Sequence, residues 1–187
     1  SSDDHTTIAE LAIERAKRLV ELGHDVVVLF DSLTRLARAY QQSIGGTSRG
    51  GSDTAWVHPT KKLFGAARNV DGGGSLTILG TLVTGTGLAV DDVVASEISS
   101  TATWELRLDA GCASSRMFPA VDIAATRTKR DDLLLASDEA AAIAGIRKSM
   151  GSLDTSAALN VALEAMKKSS SNVEFLVAMG KQASTSN

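Results

Sequence analysis

The sequence predicts an α/β fold in which a mostly parallel sheet is flanked by helices, and three observations carry that expectation. The first is the uninterrupted apolar run Val26-Val27-Val28-Leu29-Phe30, rich in β-branched residues and closed at once by Asp31. Such a run is the pattern of a strand buried on both faces of a parallel sheet. The second is Ser75 to Val83, a stretch with too few charges for an exposed edge, so that it is predicted to lie centrally. The third is the helical spacing of apolar residues around these runs and through the chain beyond Ser137.

Taken in order, Asp3 or Asp4 can cap a first helix from Thr6 to Leu22, with Ile8, Leu11, Ala12, Ala16 and Leu19 as its inward stripe. Glu14 stands three and four residues before Lys17 and Arg18 on the wet side, and Gly23 ends the helix. Asp31 follows the first strand, where open α/β sheets bind ligands; the competing reading is that it caps the next helix. That helix carries Leu33, Leu36, Ala37 and Tyr40 on one side, with Arg35 and Arg38 elsewhere. Gly45 to Ser52 is a glycine-rich loop with one cation, Arg49. Pro59 suits a first helical turn, so Lys61 to Asn69 is predicted helical with Leu63, Phe64 and Ala67 inward. The second strand runs out into Thr84-Gly85-Thr86-Gly87-Leu88-Ala89-Val90-Asp91-Asp92. Thr103 to Asp109 alternates Trp104, Leu106 and Leu108 with Glu105, Arg107 and Asp109, the pattern of a half-buried strand. Ser137 can then cap a helix to Met150, ended by Gly151; Asp154 or Thr155 opens another through Lys167, and a third spans Val173 to Met179. Ile143, Ile146, Leu159, Val161, Leu163, Phe175 and Leu176 give these helices apolar faces, and Lys181 to Asn187 reads as frayed.

With 187 residues, 43% hydrophobic and 22% charged, the chain has the composition of an ordinary globular protein with a real core. No apolar run approaches the ~20 residues that cross a bilayer, and SSDDH is no leader, so a cytoplasmic protein without membrane contact is expected. The single cysteine, Cys112, excludes an internal disulfide. A net charge of −3 excludes a global basic field, so any nucleic-acid contact must be local. His5, His24 and His58 have no metal-ligand spacing, and no serine, histidine and carboxylate set suggests a hydrolase. The phosphate-binding pattern G-x-x-x-x-G-K-[ST] is absent, since Gly180-Lys181 is followed by Gln182.

The segment from Asp31 to Tyr40, DSLTRLARAY, resembles the DSITRLARAY signature of the bacterial transcription-termination factor Rho family, hexameric RNA-dependent ATPases and helicases. Ala9 to Ser32, Lys61 to Val70 followed by Gly73 to Leu79, and Phe118 to Asp122 are similar to the same family in the same order. Together the blocks span residues 2 to 135; beyond them only Ser171 to Leu176 (SNVEFL) adds to a shared helical pattern.

The resemblance implies a RecA-like P-loop NTPase core, incomplete because the phosphate-binding half is missing. Residues 1–135 would be the C-terminal portion of that core, and 136–187 a helical subdomain packed on it. It implies ATP and Mg²⁺ as cofactors, RNA as partner, a homo-hexamer, and indirect action on the RNA polymerase complex. Asp31 would hold Mg²⁺ in the Walker-B role, with Ser32, Arg35 and Phe118 beside the nucleotide, Phe118 stacking on adenine. Arg116 would lie at the nucleotide edge, and Lys129 or Arg130 would be the arginine finger that reaches a neighbouring subunit. Ser48, Arg49 and Gly50 in one pore loop, and Thr86 and Gly87 in a second, would touch RNA.

The chain also departs from the family. The first pore loop is shorter, and Ala89 stands where the second carries a basic residue. The segment Ile98 to Leu106 lacks the lysine and glycines that couple nucleotide state to loop position, and Lys129 replaces arginine. These departures support the alternative of a diverged, catalytically inactive, truncated RecA-like module with an oligomerisation or regulatory role. The chain alone is expected not to hydrolyse ATP.

Overall fold

The computed structural model describes residues 1–43 and 54–185, with side chains up to residue 180. Two compact units divide the chain, Ser1–Ala102 and Thr103–Asn187.

The first unit opens with α1 (Ser2–Glu21), which begins earlier than the sequence predicts because Ser1 supplies the cap. Its hydroxyl accepts from the Asp4 amide at 3.2 Å, and the Asp4 carboxylate accepts from the Ser1 ammonium at 2.9 Å. The predicted inward stripe is corrected as well. Thr6, Ala9, Ile13, Ala16 and Val20 are buried, whereas Ile8 and Leu11 are exposed and Leu19 is only half-buried. α1 has apolar residues on two faces, and the core takes the one centred on Ile13. Lys17 donates to Glu14 at 2.6 Å as expected, while Arg18 pairs with Glu21. Gly23, at φ 90°, turns the chain out of the helix in a conformation open to glycine.

β1 (Val26–Phe30) leads through Asp31 into α2 (Leu33–Ser43), whose Leu33, Leu36, Ala37 and Tyr40 are all buried, as predicted. A 3-10 turn (Ala55–Val57) and α3 (His58–Phe64) follow, with Pro59 in the first turn. α3 is shorter than the Lys61 to Asn69 helix predicted. It stops at Gly65, Ala66 and not Ala67 is buried, and Arg68–Asn69 form β2. β3 (Ser75–Gly80) ends before Val83 and is central, in the order β1-β3-β2, parallel to β1 with Val26 opposite Leu76 and Phe30 opposite Gly80. β2 runs antiparallel to β3, and α4 (Ala89–Thr101) completes the unit. At Gly74 a side chain is impossible: a Cβ would fall on the His24 carbonyl, and the Gly74 amide donates to the Val20 carbonyl at 2.9 Å.

The expectation that β1 is buried on both faces fails. Val26, Val28 and Phe30 pack against Ile13, Val20 and Ile78, but Val27 and Leu29 are 61% and 72% exposed, and β1 pairs only with β3 among the described residues. The apolar run forms a strand, as predicted, but not one covered on both faces.

In the second unit, β4 (Trp104–Glu105) is shorter than the Thr103 to Asp109 strand predicted, and its burial is inverted. Trp104, Leu106 and Leu108 are 49%, 46% and 71% exposed, while Glu105, Arg107 and Asp109 are half-buried. The polar side turns inward because it has partners there. The Glu105 carboxylate accepts from Arg107 and Arg127 at 3.1 Å each, and Asp109 caps α5 (Ala110–Ser114) by accepting from the Cys112 amide at 2.7 Å. β5 (Arg127–Thr128) pairs antiparallel with β4. Three helices follow: α6 (Ser137–Met150), α7 (Thr155–Lys167) and α8 (Asn172–Thr185). Asp154 caps α7, as the sequence allows; Ser137 is the first residue of α6 and not its cap, and α8 continues to Thr185 where fraying was expected. Their core joins Ile146, Met150, Ala158, Ala162, Leu176 and Met179, while Val161 is exposed.

Candidate nucleotide site

Asp31 stands exposed at the carboxyl end of β1, and the alternative that it caps α2 is overturned. Ser32 is the cap: its hydroxyl accepts from the Arg35 amide at 3.2 Å and its carbonyl from the Leu36 amide at 3.1 Å. Asp31 Oδ1 instead accepts from the Thr81 hydroxyl at 2.8 Å. The peptide between Asp31 and Ser32 is cis. A carboxylate in this position, beside the end of a central parallel strand, suits Mg²⁺, which takes one or two carboxylates and completes its shell with water and phosphate oxygens. Asp31 with the neighbouring Thr81 hydroxyl fits such an ion. Among the described residues no cluster of three or more His, Cys, Asp or Glu side chains could hold a metal by itself.

Ser32 is buried by its capping role, so its hydroxyl is directed at the helix amide. Arg35 is exposed and lines a shallow groove of about 300 Å³ with His5, Arg38 and Gln42. Arg38 also forms an ion pair that the sequence did not reveal. Its Nε and Nη2 donate to Asp91 Oδ1 at 3.0 and 2.7 Å, and Nη2 also donates to Oδ2. Asp91 is fully buried near the start of α4 and also accepts from the Thr86 hydroxyl at 2.7 Å. Hydrogen bonds from Arg38 and then Thr86 hold its carboxyl below the usual range, against the opposing effect of burial. Thr34, 2% exposed, accepts from the Val83 amide at 3.0 Å. Asp91 falls three and seven residues before Val94 and Ile98, both buried, so an acid on the apolar face of a helix was the available signal.

Thr86 and Gly87 are exposed in the segment between β3 and α4, where Gly85 and Gly87 take φ of 70° and 75°. Ala89 is exposed as the first residue of α4. Ser48, Arg49 and Gly50 lie outside the described residues.

The second unit holds the other candidates. Phe118 is 65% exposed and is not a core residue. The Phe118–Pro119 peptide is cis. Arg116 is exposed in a turn with φ 57°, and its amide donates to the Ala113 carbonyl at 3.0 Å. Lys129 and Arg130 are both exposed just after β5. The Lys129 amide donates to the Thr103 carbonyl at 2.9 Å, fixing the backbone there. Arg130 forms a two-pronged pair with Asp132, its Nε at 2.9 Å and Nη2 at 3.0 Å.

Residues 3–127 match the ATP synthase alpha/beta family, nucleotide-binding domain. The chain belongs to that family. Relatives include "Transcription termination factor Rho" of Streptomyces lividans, 49% identical over 98% of this chain and 26% of that protein. The Rho of Micrococcus luteus is 48% identical over 96% of this chain and 26% of its own length. That of Streptosporangium roseum is 47% identical over 92% of this chain and 46% of its own. The chain thus spans between a quarter and a half of these relatives. The Rho resemblance is borne out, and the similarity extends through the C-terminal helices that the matched blocks did not reach. Exposure of Val27 and Leu29 would by itself weigh against the assignment; identities of this size over nearly the whole chain outweigh it.

Two solved structures share the fold. A prototypical ATPase from the type III secretion system of pathogenic bacteria superposes with a TM-score of 0.73 at 20% identity, over 97% of this chain and 60% of that one. The assembled ATPase EscN from enteropathogenic E. coli gives 0.67 at 20% identity, over 94% and 49%. The RecA-like α/β assignment follows from the family and these neighbours. Among the described residues no helix is long and apolar enough to cross a membrane.

Proposed function

We propose that this chain is part of a Rho-type hexameric RNA-dependent ATPase that moves along RNA, in the cytoplasm, and ends transcription. The observation that carries the proposal is Asp31, exposed at the carboxyl end of β1 and free of the capping duty that would explain it structurally. Residues 1–135 would supply the C-terminal portion of the RecA-like core and 136–187 a helical subdomain. Asp31 would hold Mg²⁺, which when bound with ATP neutralises the phosphate charge. Phe118, with its exposed ring, would stack on adenine, and Arg116 would lie at the edge of the nucleotide. Lys129 or Arg130 would serve a neighbouring subunit, Lys129 with a point charge and Arg130 with a guanidinium fork that here pairs with Asp132. Thr86, Gly87 and the Arg49 loop would face RNA.

The test is RNA-stimulated ATP turnover by the full-length gene product, with and without Asp31→Asn. Loss of Mg²⁺-dependent turnover in a folded variant supports the reading; unchanged turnover removes Asp31 from the metal site. A second reading, an inactive module with an oligomerisation or regulatory role, is favoured by the segment Thr81 to Asp92, which contains no Lys or Arg to meet a phosphate. It predicts no ATP turnover in either protein.

A further inference from the structure

Four hydrogen-bonded ties join the Asp31–α2 segment to the chain between β3 and the first turn of α4. The Thr81 hydroxyl donates to Asp31 Oδ1 at 2.8 Å, and the Leu33 amide donates to the Thr81 carbonyl at 3.0 Å. The Val83 amide donates to Thr34 Oγ1 at 3.0 Å. One helical turn beyond Thr34, Arg38 grips Asp91 through its Nε and Nη2, and Asp91 in turn accepts from Thr86, whose Oγ1 accepts from the Leu88 amide at 3.2 Å. Thr34 and Asp91 are 2% and 0% exposed. Between these ties the chain is exposed, and Gly85 and Gly87 sit in left-handed backbone that defines a set conformation.

We propose that α2 acts as a rigid bracket that positions the exposed loop 84–88 from the Asp31 site, with Thr81 as the link to the carboxylate and Thr34 and Arg38 as positioning residues. A helix is stiff, and Asp31 lies only two residues before it, so a change in what the Asp31 carboxylate binds is transmitted through Thr81 to one end of the loop. Arg38 and Asp91 hold the far end, so the loop shifts as a unit. The bracket is distinct from the Ile98 to Leu106 segment, whose family pattern this chain has lost. As a coupling between nucleotide and loop it rests on the reading of Asp31 given above; as a mechanical link it does not.

The test is amide hydrogen exchange of the 187-residue chain, read at Val83 and Leu88. Thr34→Val is expected to speed exchange at Val83, and Arg38→Gln at Leu88, each by about fivefold to tenfold, the loss of one net hydrogen bond. Asp31→Asn is expected to change exchange at both amides in the wild-type background, to do so in Thr81→Ser, which keeps the hydroxyl, and to have no effect in Thr81→Val. A merely structural Thr81 would not give that dependence. If Arg38→Gln does not fold, the Thr34 and Thr81 variants decide. An Asp31→Asn effect that is absent, or that persists unchanged in Thr81→Val, overturns the bracket. An intact bracket in a full-length protein without ATP turnover would instead remove the nucleotide reading and leave the link standing.

Discussion

Gly80 offers a stringent test of how the site is held. It ends β3 opposite Phe30, and a Cβ placed there would run into the Leu33 side chain, meeting Cδ1 and coming within 2.7 Å of Cγ. Leu33 cannot step aside, because it is fully buried with Ala37, Val57, Val94 and Ile98, and its amide is tied to the Thr81 carbonyl. Gly80→Ala therefore overpacks a closed space, which costs about 1–3 kcal/mol. For a chain of this size about 2 kcal/mol corresponds to a fall in Tm of roughly 4–8 °C. Leu33→Ala alone should cost about 2–5 kcal/mol through the cavity it leaves. Because the new methyl occupies part of that cavity, the double variant should be more stable than the sum of the two effects by about 1 kcal/mol or more. Denaturant titration of the four proteins measures the cycle. A neutral Gly80→Ala, or strictly additive effects, would refute the close approach of Gly80 to Leu33 and with it the rigidity claimed for the strand end beneath Asp31.

Ala89→Lys in the full-length protein is expected to tighten RNA binding and steepen its salt dependence by about one unit per contact made, measured as log affinity against log salt; no change would place the start of α4 away from RNA. Phe118→Ala should leave Tm unchanged, since the ring is exposed, while weakening adenine-nucleotide binding measured by calorimetry. Thr60 is fully buried and its hydroxyl has no partner among the described residues, so Thr60→Val should stabilise the fold by about 1 kcal/mol in thermal unfolding. Asp91 titrates below its ordinary 3.8, so its contribution is complete above that value and is lost as pH falls through the lower folded one. Asp91→Asn should accordingly lower stability at neutral pH and flatten the acid limb of a stability-against-pH curve.

The elements were largely legible because their punctuation is local. Gly23, Pro59, Gly151 and Asp154 mark helix ends through backbone preferences that act within a few residues, and each fell where it was read. Burial was less legible, because periodicity gives the apolar face and not what covers it. α1 has apolar residues on two sides and only Ile13's is enclosed; at Trp104 to Asp109 the ion pairs of Glu105 turned the polar side inward. Asp31 is singled out by its place at the end of an apolar strand, and Phe118, Lys129 and Arg130 by the family resemblance; the structure leaves all four exposed. The Arg38–Asp91 pair was missed because its partners lie 53 positions apart.

The outer margin of β1 brings a practical consequence. It presents the backbone donors and acceptors of alternate residues of a five-residue strand, with no strand beside them among the described residues, flanked by exposed Val27 and Leu29. A bare apolar rim of this kind templates strand addition by another polypeptide. Handled by itself at high concentration, the 187-residue chain should therefore self-associate through that rim, and a lysine in place of Leu29 should keep it dispersed.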